Sequence, residues 1–193
     1  MRYSPEHKSE TRRKIVAAAA RQFRARGVES VSVADVMSEA GLTHGGFYAH
    51  FASKDDLVAE ALRESKGVGA ARLLEAARQA PPGGQLAALV GTYLNPSHRN
   101  RRDQGCILAA LASEAGRDTP SARRVLAERS RALAEAVKPS LPPSSKGHAD
   151  DTARAIAACM VGGLILSRLE EDGGAGERIL AACRRFILDA VKA

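Results

Sequence analysis

The sequence predicts an all-α protein of about nine helices, and three observations carry that prediction. It is Ala-rich and 45% hydrophobic but only 4% aromatic, with no Trp, so the β-branched and aromatic runs that signal strands are scarce. Apolar residues recur three and four positions apart in one segment after another, the spacing of a helix face. The stretch from Val31 to Asp56 holds three helix starts in succession, each with its own capping signature.

Residues Met1 to Lys8 are expected to form a loose, basic-leaning arm. A first helix is expected over Ser9–Arg26. Ile15, Ala19 and Phe23 recur every four residues as its buried stripe, and Gly27 is its C-cap. Its many Arg residues make a solvated face, whose N-terminal members can also reach phosphate if a DNA site lies beside them. Ser32 caps a second helix, Val33–Ala40, with Asp35 as capping-box partner and Val31 and Val36 as a hydrophobic staple. Gly41 ends it, because Gly accepts the left-handed backbone a C-cap needs. Thr43 caps the third, about Thr43 to Phe51, with Leu42 and Phe47 as staple. Ser53 caps the fourth, with Asp56 in the capping-box position. Helix, short turn containing Gly, helix is the pattern of a helix-turn-helix DNA-binding unit.

Within Thr43–Phe51, Thr43, Phe47 and Phe51 stand four apart and share one side, so the two Phe residues are its core anchors. Gly45, Gly46 and Ala49 fall on the other side, with Tyr48 at the edge. That leaves the outer face nearly bald. Gly costs roughly 1 kcal/mol relative to Ala in a helix interior, so two in succession need a reason. Close approach of backbone to a major-groove wall is one. A packed neighbour that needs the space is the other.

The fourth helix starts near Lys54 and is expected to extend to about Ala80, with Gly67 and Gly69 marking a bend or weak helix. Pro81-Pro82-Gly83-Gly84 breaks the chain. A fifth helix, Gln85–Leu94, carries Leu86, Leu89, Val90 and Tyr93. Asn95–Arg102 reads as a polar loop. A sixth helix begins after Asp103, holds Cys106, Ile107, Ala110 and Leu111, and ends at Gly116. Thr119-Pro120 fits an N-cap with Pro at N1, opening a helix to about Lys138. Pro139–Gly147 is a loop. An eighth helix, Ala149–Leu169, is lined by small and aliphatic residues. Gly173–Gly176 breaks the chain, and a ninth helix spans Glu177–Val191.

The 193 residues suffice for one full core or two small ones. A formal charge of +7 and a pI of about 9.7 favour polyanion partners. MRYSPEHKSE has no apolar core and is not a signal peptide, and no apolar run reaches the ~18 residues of a membrane span. A cytoplasmic protein is expected, with Cys106, Cys159 and Cys183 as reduced thiols. The five His residues are scattered. No Ser/His/Asp, metal-ligand or phosphate-loop pattern is present, so neither enzyme chemistry nor a cofactor or metal is expected.

AGLTHGGFYAHFASKDDL resembles the DNA-binding signature of the tetracycline-repressor (TetR) family of bacterial regulators, and TRRKIVAAAARQFRARGVESVSVADV resembles that family's first helix and the lead into the second. The resemblance covers about Thr11 to Leu62. QGCILAALASEAGRD is similar to a stretch found in one subgroup. The resemblance implies an N-terminal DNA-binding domain, residues 1–65, whose boundary near Ser65 lies within a shared helix. It also implies an effector-binding and dimerisation domain, residues 66–193, whose last two helices pair with a second subunit as a four-helix bundle. The partners implied are a double-stranded DNA operator, a small-molecule effector and a second copy of the chain.

By position, the family's groove-facing residues fall on His44, Gly45, Gly46 and Tyr48, and its phosphate contacts on Thr43, His50, Lys54 and Ser32. Two glycines present no side chain, so readout is expected to lean on His44, Tyr48, backbone fit and DNA shape. Leu89, Tyr93, Cys106, Leu111 and Met160 are the candidate effector-pocket residues. The function implied is a homodimeric repressor released from a near-palindromic operator by its effector. Two alternatives remain. Cys106, near a predicted helix N-terminus, could serve a thiol-based redox or electrophile sensor with a minor DNA role, although Asp103 opposes thiolate formation and free cysteines commonly act as small buried hydrophobes. A helical hydrolase is the more distant one.

Overall fold

A computed structural model describes residues 5–64, 69–114, 120–145 and 147–192. Among them every regular element is helical. The chain divides into two compact units, Met1–Lys66 with Ala110–Leu126, and Gly67–Ala109 with Ala127–Ala193. The expected boundary at Ser65 lies outside the described residues, as do Gly67, Gly116 and Thr119.

In the first unit α1 spans Pro5–Arg26. It starts earlier than expected: His7 and Lys8 are helical rather than part of a loose arm, with Glu6 favourably placed in the first turn. Ile15, Ala19 and Phe23 are all buried, and Gly27 ends the helix at φ 85°. The N–H of Glu29 donates to Glu114 Oε1 at 2.6 Å, holding the turn that follows. α2 spans Val33–Glu39 and carries the full capping box. Asp35 N–H donates to Ser32 Oγ at 3.1 Å, and Ser32 N–H donates to Asp35 Oδ2 at 2.8 Å. Gly41, at φ 73°, turns the chain. α3 spans Lys54–Glu64, its start held by Asp56 N–H on Ser53 Oγ at 3.1 Å. It packs on α1 through buried Leu57, Val58, Ala61 and Leu62.

The single long helix expected from Lys54 to Ala80 is not formed. α4 spans Ala70–Gln79 and begins afresh at Gly69, whose backbone is extended at φ −120° and ψ 180°. α5 spans Gln85–Tyr93, after a turn that places Gly83 at φ 81°. Asn95–Arg102 is not a simple loop. Asn95 Oδ1 accepts the N–H of His98, Pro96 takes the first helical position, and α6 runs Pro96–Asn100. A 3-10 turn at Arg102–Gln104 follows, and α7 is only Ile107–Leu111, so Cys106 precedes a helix instead of lying inside one. α8 spans Pro120–Val137. The expected loop after it contains two 3-10 turns, Lys138–Ser140 and Pro143–Ser145.

In the second unit α9, Ala149–Ser167, packs along α10, Gly173–Ala190. Ala153, Ile156, Ala157, Met160 and Leu164 form the buried side of α9. Gly173–Gly176 starts α10 rather than breaking the chain. Asp172 caps it by accepting Gly174 N–H at 2.9 Å and Ala175 N–H at 3.0 Å, which offsets the poor helix propensity of Gly. Gly176 has a packing reason. A Cβ there would collide with the Arg99 guanidinium and sit 2.7 Å from the Ser167 carbonyl oxygen. No helix among the described residues is long and apolar enough to cross a membrane.

Candidate nucleic-acid interface

The third element of the helix-turn-helix is a 3-10 helix, His44–Ala49, not the expected α-helix over Thr43–Phe51. The physical reason is local. Gly45 and Gly46 give little α-propensity, and six residues are too few for cooperative α-hydrogen bonding to dominate. Thr43 occupies the N-cap with extended backbone, but its side chain makes no cap bond.

Two anchors fix this short element. Phe47 and Phe51 are buried and stacked with centroids 5.5 Å apart. Arg12 of α1 then grips its end. The guanidinium lies 4.1 Å from the Phe51 ring centroid, donates to the His50 carbonyl oxygen, and pairs with Glu60 of α3, with Nε 3.0 Å from Glu60 Oε1. Arg12 was legible in the sequence only as one Arg in a charged run. Its partners lie 38 and 48 residues away, beyond any local pattern.

The outer face is as open as the sequence implies. Tyr48 is 70% exposed, its ring edge-on to Phe47 at 5.3 Å and to His44 at 6.5 Å. A Cβ on Gly45 would meet nothing within 4 Å. One on Gly46 would touch Met37 Cε at 3.6 Å and Thr43 Oγ1 at 3.9 Å, ordinary van der Waals distances. Packing within the chain therefore does not demand either glycine.

The other expected contact residues differ in availability. Thr43 and His44 are exposed. Ser32 is engaged in its capping box, where Oγ also donates to Asp35 Oδ2 at 2.7 Å. The Lys54 ammonium donates to the Val28 carbonyl at 2.8 Å. His50 is half-buried, and its Nδ1 is buried without a hydrogen-bond partner among the described residues. Burial, then Lys8 and Arg12, push its pKa down, which favours the neutral ring. His50, Thr43 and Gly46 border a cleft of about 430 Å³ whose other wall is His7, Lys8 and Thr11 of α1. The arrangement can receive an anionic backbone at the cleft and a groove wall at the bald face. His7, Lys8 and Thr11 were not singled out in the sequence, because their place depends on α1 extending beyond its apolar stripe.

The candidate pocket residues separate by unit. Leu89, Tyr93, Cys106 and Met160 belong to the second unit and are buried. Leu111, also buried, belongs to the first. His98, which no local pattern in the sequence marks, organises this neighbourhood. Cys106 N–H donates to its Nε2 at 2.9 Å, so Nδ1 carries the proton and donates to the Tyr93 carbonyl at 2.6 Å. Burial, with Arg168 and Arg72 nearby, pushes its pKa down to about 4. The Tyr93 ring stands edge-on to His98 at 4.7 Å. Its hydroxyl is buried without a hydrogen-bond partner among the described residues, and burial followed by Cys106 raises its pKa.

Residues 15–61 match the family described as bacterial regulatory proteins, tetR family. The HTH-type transcriptional regulator TtgR of Pseudomonas putida is 43% identical over 65 residues, 34% of this chain and 30% of that protein. AcrR of Shigella flexneri is 39% identical over 59 residues, 31% of this chain and 27% of that protein. The aligned stretch thus spans under a third of either relative. Similarity of fold runs further. A TetR-family regulator from Streptomyces coelicolor superposes with a TM-score of 0.71 at 26% identity, covering 96% of this chain and 97% of that one. Reduced Escherichia coli NemR gives a TM-score of 0.75 at 18% identity, covering 91% and 96%.

Proposed function

The chain belongs to the TetR family of bacterial regulatory proteins, whose members are regulators rather than enzymes, and from that premise we propose that it is a cytoplasmic, homodimeric repressor released from a near-palindromic operator by a small-molecule effector. The observation that carries the DNA-binding part is the face of His44–Ala49. An aromatic ring 70% exposed stands beside two glycines that no neighbour in the chain requires, on an element anchored from behind by two stacked Phe rings. With no side chain beyond Tyr48 to hold a partner off, such a face is suited to close approach in a major groove.

Dimerisation is supported by exposed apolar side chains on the last two helices and the turn between them. Ile165, Leu166 and Leu169, at and just beyond the end of α9, and Phe186 of α10 are exposed, with Leu169 at 71% and Phe186 at 68%. A second copy of the same helices would cover them. Two-fold symmetry would then set two recognition elements about 34–36 Å apart, one helical turn of DNA. Between the two sensing alternatives, burial favours a small molecule. Cys106 is only 6% exposed, whereas thiol chemistry needs an accessible sulfur.

The test is fluorescence anisotropy with DNA from upstream of the protein's own gene. Tight binding that falls steeply with salt, and exceeds binding to random DNA by about a thousandfold or more, is the expected result. Equal affinity for both DNAs would reject the regulator reading.

A further inference from the structure

Around α4, α6 and the end of α9 the second unit gathers five arginines, and three of them hydrogen-bond mainly to backbone carbonyls. Arg99 donates from Nε to the Ser167 carbonyl and from Nη2 to the Glu170 carbonyl, both at 2.7 Å. Arg102 Nη2 donates to the Arg168 carbonyl at 3.0 Å. Arg168 donates from Nε to the Arg99 carbonyl at 3.1 Å and from Nη2 to the His98 carbonyl at 2.9 Å. Carbonyl oxygens satisfy N–H donors but do not neutralise a charge. Arg168 registers this: burial lowers its pKa, and Arg102 and Arg99 lower it further.

The other two arginines, Arg72 of α4 and Arg101, line a cavity of about 70 Å³ together with Thr92, Ser97 and Gln104. Among the described residues neither guanidinium has a hydrogen-bonded or ion-paired partner, and none of the cavity's lining residues is a carboxylate. Asn95 and His98, which also line it, are spent. Asn95 bonds the His98 N–H and the Thr92 carbonyl, and both His98 ring nitrogens are used within the chain. The volume is about that of two waters, enough for a single phosphate or carboxylate group.

We propose that this cavity is an oxyanion site, in which the Arg72 and Arg101 guanidinium groups clamp a phosphate or carboxylate and the Thr92 and Ser97 hydroxyls complete its hydrogen bonds. Two guanidiniums without acidic partners supply charge and planar donors, the chemistry that oxyanions recognise. The site stands by itself. That its occupant is an acidic end of the effector rests on the reading above. The Arg99 and Arg168 bonds make that reading mechanical, since they join α6, beside the cavity, to the turn that links α9 to α10.

The test is thermal unfolding of the full-length protein, followed by circular dichroism at neutral pH and fixed ionic strength, as chloride is replaced by inorganic phosphate or by acetate. A melting temperature that climbs and saturates with either anion is expected, because a ligand bound only by the folded state stabilises it by mass action. Saturation with phosphate marks a phosphoryl site and saturation with acetate a carboxylate site. Arg72→Ala and Arg101→Ala, both at exposed positions, should each lower the apparent affinity about tenfold or more, and Arg131→Ala on α8 should not. A rise that never saturates, or one equal in the Arg72→Ala protein, would overturn the site. A saturable site whose occupation leaves operator affinity unchanged would keep the site and reject its role as the effector's seat.

Discussion

The Lys54 ammonium and the Val28 carbonyl are joined by a hydrogen bond of 2.8 Å. A lysine expected to meet phosphate is thus also a strut, tying the start of α3 to the turn after α1. Its removal should act twice. Lys54→Ala should cost about 1 kcal/mol of stability and lower affinity for operator and random DNA alike. Melting and anisotropy on the same protein separate the parts. A lower melting temperature with unchanged affinity on both DNAs would leave Lys54 a strut alone.

Tyr48 makes the contrasting case. At 70% exposure its removal leaves no cavity, so Tyr48→Ala should melt like the wild type. Operator binding should weaken by about 1–3 kcal/mol while random-DNA binding changes little. Equal losses on both would remove Tyr48 from the readers.

For the glycines, the contact distances sharpen the expectation. Gly45 has open space, and a Cβ at Gly46 rests at 3.6 Å from Met37 Cε, so neither substitution is strained by the chain itself. Gly46→Ala should leave the melting temperature unchanged or slightly raised while operator affinity falls, and Gly46→Val should lose more affinity. A destabilised Gly46→Ala protein whose folded fraction binds operator normally would mean the face is bald for packing.

The parts of this site that were legible in the sequence are those made by neighbours in the chain. The Ser32–Asp35 capping box, the Gly41 turn and the Phe47–Phe51 pair all lie within four residues of their partners or act alone. What the sequence hid was made at a distance or by competing signals. Gly173–Gly176 reads as a break until Asp172 is seen capping it and Arg99 is seen needing the space at Gly176. Asn95-Pro96 carried a legible helix start, outweighed by the polar residues around it. The roles of Arg12 and His98 depend on tertiary partners that no periodicity announces.

The proposed dimer face also changes which substitution is informative. Gly163 belongs to the small-residue stripe, but it faces inward: a Cβ there would lie 2.6 Å from Cys183 Sγ and 3.2 Å from Cys183 Cβ. Gly163→Arg would therefore wreck the α9–α10 seam whatever the oligomeric state. Phe186→Asp and Leu169→Asp sit on exposed positions and should give folded monomers with operator affinity lowered at least about tenfold, since each half-site must then bind alone. Light scattering showing a monomeric wild type at micromolar concentration would remove the dimer.

His98 should leave a signature in the pH dependence of stability. Its ring is buried, both nitrogens are used, and its pKa falls from 6.5 to about 4, chiefly through burial and then through Arg168 and Arg72. Above pH 6.5 the ring is neutral in both folded and unfolded chains and has no effect. Between 6.5 and about 4 the unfolded chain takes up a proton that the folded chain refuses, so stability must fall as pH falls. The slope from this one group is about 1.4 kcal/mol per pH unit, and the whole loss is about 3 kcal/mol. Below about 4 both forms are protonated and the contribution is flat. Most of this window lies above the range where the capping carboxylates Asp35 and Asp172, with lowered pKa values, take up protons. Denaturant unfolding from pH 7.5 to 4.5 measures it. In His98→Asn the stability at pH 7.5 should drop, because the Cys106 and Tyr93 bonds are lost, and the slope should shrink to the smaller share of His50, whose pKa is lowered in the same sense. An unchanged slope in that variant would place the titration elsewhere and show that the His98 ring is not held neutral by the fold.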